Sequence, residues 1–173
     1  SARTDWRALD GSAIQGRTRA GFRTGGPVVR SAEPYGERIA EDQRFLLRMS
    51  GPVDVRSLEG RAWCDVQGIG ERLPARAVDG ADRQAVLDAR RVPQEARASM
   101  LLLACARPLP ADTPMRLVLE SGIASTGSSS VTTTRDWSHG WHVRPAFTAS
   151  VSCERERADA GCLPLRSISL EFS

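Results

Sequence analysis

Two short apolar runs, each with one cysteine near its middle, constrain this chain more than anything else in it. Arg61–Gly68 reads RAWCDVQG, with Ala62, Cys64 and Val66 on one side and Trp63, Asp65 and Gln67 on the other. That period-two alternation belongs to a strand half-buried in a sheet. Leu101–Leu109 reads LLLACARPL, a buried strand that stops at Pro-Leu-Pro. If Cys64 and Cys105 are bonded, they tie the two strands together and the chain between them becomes a loop hung off a sandwich. The alternative keeps both as reduced core residues, since free cysteine is among the most buried residue types.

Four cysteines suit two disulfides in an oxidising compartment, so an exported location is expected. Their spacings match neither paired CxxC zinc ligation nor a thioredoxin-like motif. Four cysteines allow three pairings. Cys153 and Cys162 flank the polar segment CERERADAGC and read as a stapled loop, which leaves Cys64 with Cys105. In the chain-entropy picture the short loop contributes roughly 2.7 kcal/mol and the long one roughly 4.

At 173 residues the chain is about one domain with pieces of neighbours. It begins at Ser1 rather than Met, which reads as a processed or excised end. No apolar run approaches the ~20 residues that span a bilayer, so no membrane insertion is expected. All 24 basic residues are arginine, and the 21 acids are interleaved with them, as in GERIAEDQR, leaving a net charge of +3. A nucleic-acid binder concentrates its basic residues on one face and adds stacking aromatics. Aromatics are 5% here, so no nucleic-acid partner is expected.

Three parts follow along the chain. Residues 1–24 are polar and turn-rich and read as the end of a preceding β domain, with Gly25-Gly26-Pro27 as a hinge. Residues 25–145 read as one antiparallel β-sandwich. In Arg44–Met49 the side chains Phe45, Leu47 and Met49 share a face. Gly51-Pro52 breaks that strand, Val53–Leu58 resumes it, and Leu73–Val78 is a short edge strand. Ala81–Arg91 is a short helix in a crossover, with Asp79 or Asp82 as N-cap, arginines in the last turn and Pro93 beyond. Arg116–Glu120 and Trp141–Arg144 are strands, separated by a loop whose tip is STGSSS. In residues 146–173, Phe147, Ala149 and Val151 alternate with polar residues, as do Ile168, Leu170 and Phe172. These read as the first strands of a following β domain, or as added strands, around the stapled loop.

Candidate chemistry is thin. His139 and His142, in HGWH, would share a metal on a helix, but Gly140 argues against one. Asp136 is the single nearby carboxylate, and a catalytic zinc takes three protein ligands with a supporting shell. A serine hydrolase assembled from Asp136, a histidine and the SSS run lacks the GxSxG elbow. Glu41-Asp42 and the Glu154/Glu156 pair are most simply solvated ion pairs, with no aromatic platform for a glycosidase. Trp6, Trp63, Trp137 and Trp141 are the other candidates: Trp137 and Trp141 flank the histidines as a small binding patch, or such residues fill a core or inter-domain seam. No catalytic, cofactor-binding or metal-ligating residue and no cofactor is therefore expected. The residues singled out are the four cysteines Cys64, Cys105, Cys153 and Cys162.

The segments FRTGGPVVRSAEPYGERIAEDQRFLL, EGRAWCDVQGIGERLPAR, LLLACARPLPADTPMRLVLESGIAS and VRPAFTASVSCERERADAGCLPLRSISLEFS resemble the N-terminal part of bacterial alpha-2-macroglobulin-family proteins. The resemblance runs from Gly21 to Ser173. It implies a macroglobulin-like, immunoglobulin-like sandwich serving as a structural, non-catalytic module of a broad-spectrum endopeptidase inhibitor. Its implied partners are neighbouring macroglobulin-like domains of the same chain and, through the full-length protein, proteases. Some family members carry a Cys-Gly-Glu-Gln thioester. The single Cys-Glu here is Cys153-Glu154, followed by Arg155-Glu156, so that chemistry is not encoded in these residues. The competing class is an immunoglobulin-like adhesion or ligand-binding module of a bacterial surface protein, working through Trp137–Trp141.

Overall fold

Alternation of apolar side chains decides where this backbone becomes sheet. The computed structural model describes residues 10–11, 25–127 and 131–173. Its strands are β1 (Val29–Glu33), β2 (Arg38–Ile39), β3 (Arg44–Met49), β4 (Ala62–Val66), β5 (Leu73–Ala77), β6 (Met100–Cys105), β7 (Pro114–Leu119) and β8 (Trp137–Val143). They pair in the order β1-β3-β6-β5-β4-β7-β8-β2. All contacts are antiparallel except β2 with β8, where Arg38 faces His142 and Ile39 faces Val143 in parallel.

The sheet folds over on itself at β5. Leu73 and Pro74 pair with Cys64 and Trp63 of β4, whereas Ala75, Arg76 and Ala77 pair with Cys105, Ala104 and Leu103 of β6. Pro74, with no N–H to donate, stands at the handover, and its carbonyl accepts from the Ala106 N–H at 2.8 Å. One layer is thus β1-β3-β6 with the end of β5. The other is the start of β5 with β4-β7-β8-β2. Between them lie Phe45 and Leu47 of β3, Leu103 of β6, Cys64 of β4, Leu117 of β7 and Val143 of β8, all fully buried. The fold is an all-β, immunoglobulin-like antiparallel sandwich with one short α-helix.

The helix explains why RFLLRM and MLLLAC are apolar on consecutive positions. Helix α1 (Gly80–Ala89) lies in the connection from β5 to β6, which are adjacent antiparallel strands. Its Leu87 is fully buried against Leu46 and Leu102, the outward-facing residues of β3 and β6. A strand covered on both faces loses its alternation. Asp79 occupies the N-cap position without a side-chain capping bond, and Gly80 follows at φ +68°. After the helix, Pro93 precedes a 3₁₀ turn over Gln94–Ser99.

Several local expectations are corrected. Val53–Leu58 is not a strand: Val53 makes one isolated bridge to Ser125, and Val55–Leu58 is a 3₁₀ turn. The Asp54 carboxylate accepts from the Arg56 N–H at 3.1 Å, a local bond that competes with the ladder. β5 is not an edge strand, because the sandwich closes through it. β8 starts at Trp137, ahead of Trp141, since Pro114–Leu119 offers it a partner along its whole length. Gly26 is pinned rather than a free hinge. Its N–H donates to the Thr132 carbonyl, and a Cβ there would sit 2.2 Å from the Thr132 carbonyl carbon. The reading of residues 1–24 lies outside the described residues except for the turn at Asp10-Gly11. Ser128–Ser130 of STGSSS also lie outside them.

Beyond the sandwich, β9 (Ala149–Cys153) and β10 (Ile168–Phe172) form a separate antiparallel hairpin, exposed on both faces. Among the described residues, no helix is long and apolar enough to cross a membrane.

Candidate functional site

Among the described residues no helix covers the outer face of the layer containing β4, β7 and β8, and a concavity on that face is centred on Gly140. The strand register stacks Asp65, Arg116 and Gly140 in one row across the face. The next row holds Pro114, His142 and Arg38. Glycine leaves a gap in the first row, and a Cβ there would stand 3.3 Å from Arg116 Cγ. The result is an open groove of about 640 Å³ lined by Glu37, Asp65, Gln67, Arg116, Gly140 and His142, among others. Arg116 Nη2 donates to Asp65 Oδ2 at 2.9 Å. His142 Nε2 lies 3.0 Å from Asp112 Oδ1 at the rim. Sequence reasoning missed this groove. Alternation on β4 placed Asp65 outward, but only the register brings Arg116 and Gly140 alongside it.

The groove can offer hydrogen bonds to a polar surface, and two of its charges, Asp65 and Arg116, are engaged with each other. Among the described residues, no group of three or more His, Cys, Asp or Glu side chains is placed to hold a metal ion. A spacing of three along a strand sends His139 and His142 to opposite faces. His139 lies between the rings of Trp137 and Trp141, at 6.2 and 4.4 Å, while His142 faces the groove. Asp136 is occupied elsewhere, its Oδ1 accepting from the Ser121 N–H at 2.7 Å.

Of the two readings of the tryptophans, core filling describes Trp141. It is buried against Phe45 with ring centroids 4.9 Å apart, and its Nε1 donates to the Pro34 carbonyl at 2.9 Å. Trp137 is half-buried and packs on the same core. Trp63 lies on the outer face of β4, with the Arg72 guanidinium 4.4 Å above its ring. Of the anticipated acid pairs, Glu154 meets Arg166 at 3.4 Å with both side chains exposed, a contact of small worth.

The four cysteines are all bonded. Cys64 pairs with Cys105 and Cys153 with Cys162. The first bond lies on the inside of the corner at β5, with Cys64 fully buried and Cys105 partly buried, and the second closes the arch between β9 and β10.

Fold and cross-links together define a disulfide-locked, immunoglobulin-like sandwich carrying a stapled hairpin. No protein-family model matches the chain, and no curated protein matches it. Among solved structures it is similar to domains 1–6 of the surface-layer protein SbsC, at 12% identity and a TM-score of 0.43 over 75% of this chain. The chain spans 15% of that protein's length. It is also similar to CopC from Methylosinus trichosporium OB3b, at 14% identity and a TM-score of 0.40, covering 69% of this chain and 95% of that one.

Proposed function

We propose that this chain is a structural module of an exported, cell-envelope protein and does not itself catalyse a reaction. The observation that carries the reading is the double cross-linking. One disulfide locks the two layers of the sandwich where the sheet folds over at β5, and a second rigidifies a hairpin that the sandwich core does not hold. Such bonds persist in oxidising compartments, and a module so braced is built to keep its shape under load. The finer reading rests on the sequence resemblance. It makes the parent a bacterial alpha-2-macroglobulin-like, broad-spectrum endopeptidase inhibitor, with neighbouring macroglobulin-like domains as immediate partners and proteases engaged by the whole protein.

The test is a panel of proteases acting on a protein substrate, run with the isolated chain and with the full-length parent. The parent inhibits and the isolated chain does not. Replacing Cys64 and Cys105 in the parent weakens inhibition by disordering the module. Tight stoichiometric inhibition by the chain alone overturns the scaffold role. A parent without any effect on proteases overturns the protease-trap reading while leaving the scaffold role standing.

A further inference from the structure

The β9–β10 hairpin presents an apolar sheet face to solvent. Register places Val151 opposite Leu170, Ala149 opposite Phe172 and Cys153 opposite Ile168, all on one side. Phe147 extends that side, its ring stacked on Phe172 at 5.8 Å. The large side chains here are 56–73% exposed, while the other side carries Ser150, Ser152, Ser169 and Glu171. Together the apolar groups expose roughly 550 Å², at the upper end of what monomeric proteins leave uncovered in one patch. A two-stranded ribbon is also marginal on its own, so covering this face stabilises the hairpin that carries it.

We propose that this face docks on the same face of a second copy of the chain. The area is the first argument. Two such faces, fully covered, remove at most about 1,100 Å² from water, close to the ~1,000 Å² that a specific interface needs and below the ~1,600 Å² of a standard one. That predicts a reversible, concentration-dependent dimer rather than an obligate one. Shape is the second. The bulky rings stand at one end of the face and the smaller Cys153 and Ile168 at the other. A two-fold axis across the strands sets the rings of one copy over the Cys153–Ile168 end of its mate, an isologous arrangement that keeps the bulky rings apart. Charge is the third. The arch that joins the strands carries Arg155, Arg157 and Arg166 against Glu154, Glu156 and Asp159. A balanced rim tolerates its own copy, whereas an anionic lipid surface is met by an excess of basic residues.

Sedimentation velocity on the whole chain, from low micromolar to about millimolar concentration, tests this. The expected result is a reversible monomer–dimer equilibrium whose dissociation constant rises at least tenfold in Leu170→Glu. Ser152→Glu, on the opposite face, leaves it unchanged. A peptide map showing the Cys153–Cys162 bond intact in both variants guards against misfolding. Hydroxyl-radical footprinting of the unsubstituted chain needs no variant: Phe147 and Phe172 become protected as concentration rises. The proposal is overturned by a chain that stays monomeric throughout, by a dimer indifferent to Leu170→Glu, or by rings already protected in the monomer, since the chain then covers its own face.

Discussion

Cys64 on β4 and Cys105 on β6 stand 6.1 Å apart at their Cα atoms, although β5 runs between the two strands. In a flat sheet, strands once removed lie roughly 9.5 Å apart. The shorter span exists because β5 leaves β4 after Pro74 and joins β6 at Ala75, folding the sheet into two layers. The disulfide crosses that fold on the inside and holds the sandwich shut at its one continuous corner.

Removing this bond with Cys64→Ala and Cys105→Ala is expected to lower stability by about 4 kcal/mol in the chain-entropy picture, given the sequence separation of 41. Urea unfolding followed by tryptophan fluorescence measures it, with Trp141 as the buried reporter. A loss under about 1 kcal/mol means that packing alone closes the corner.

The second disulfide acts locally. Cys153→Ala with Cys162→Ala removes roughly 2.7 kcal/mol from a hairpin that is marginal by itself, while the sandwich keeps its unfolding midpoint. Hydrogen exchange resolves the two effects. The Leu170 amide loses most of its protection, and the Leu103 amide in the core loses none.

Leu87 is the sole residue of α1 that is fully buried and its main apolar anchor on the sheet, beside partly buried Val86 and the bond Arg83 donates to the Met100 carbonyl. Leu87→Ala is expected to cost about 3 kcal/mol, in the usual range for a buried leucine. Exposed Ala85→Ser on the same helix shifts stability by less than about 0.5 kcal/mol. Thermal unfolding of the two variants checks the contrast.

Adjacent glycines should respond differently. Gly26→Ala drives a Cβ into the Thr132 backbone, whereas a Cβ at Gly25 meets nothing within 4 Å. The first is expected to destabilise by about 2 kcal/mol and the second by less than about 0.5 kcal/mol. Equal effects would mean that the Thr132 segment yields without cost.

The sequence by itself determined which side chains share a face. Alternation in RAWCDVQG put Ala62, Cys64 and Val66 inward, RFLLRM put Phe45, Leu47 and Met49 together, and the spacing around CERERADAGC marked a stapled hairpin. It also marked the helix between Leu73–Val78 and the LLLACA strand. These are local properties, set by a two-residue pleat and by helix-forming residues between breakers. Tertiary structure alone decided who stands next to whom. β5 looked like an edge because it is short and holds a proline, yet it became the shared corner because closing the sandwich needs a strand that serves both layers. Leu46 and Leu102 read as a continuation of apolar runs, and only the docking of Leu87 says why both faces of those strands are dry. The groove at Gly140 has no signal in the chain at all. Asp65, Arg116, Gly140 and His142 come from three strands, and a pattern that repeats every two residues carries no information about the register between them.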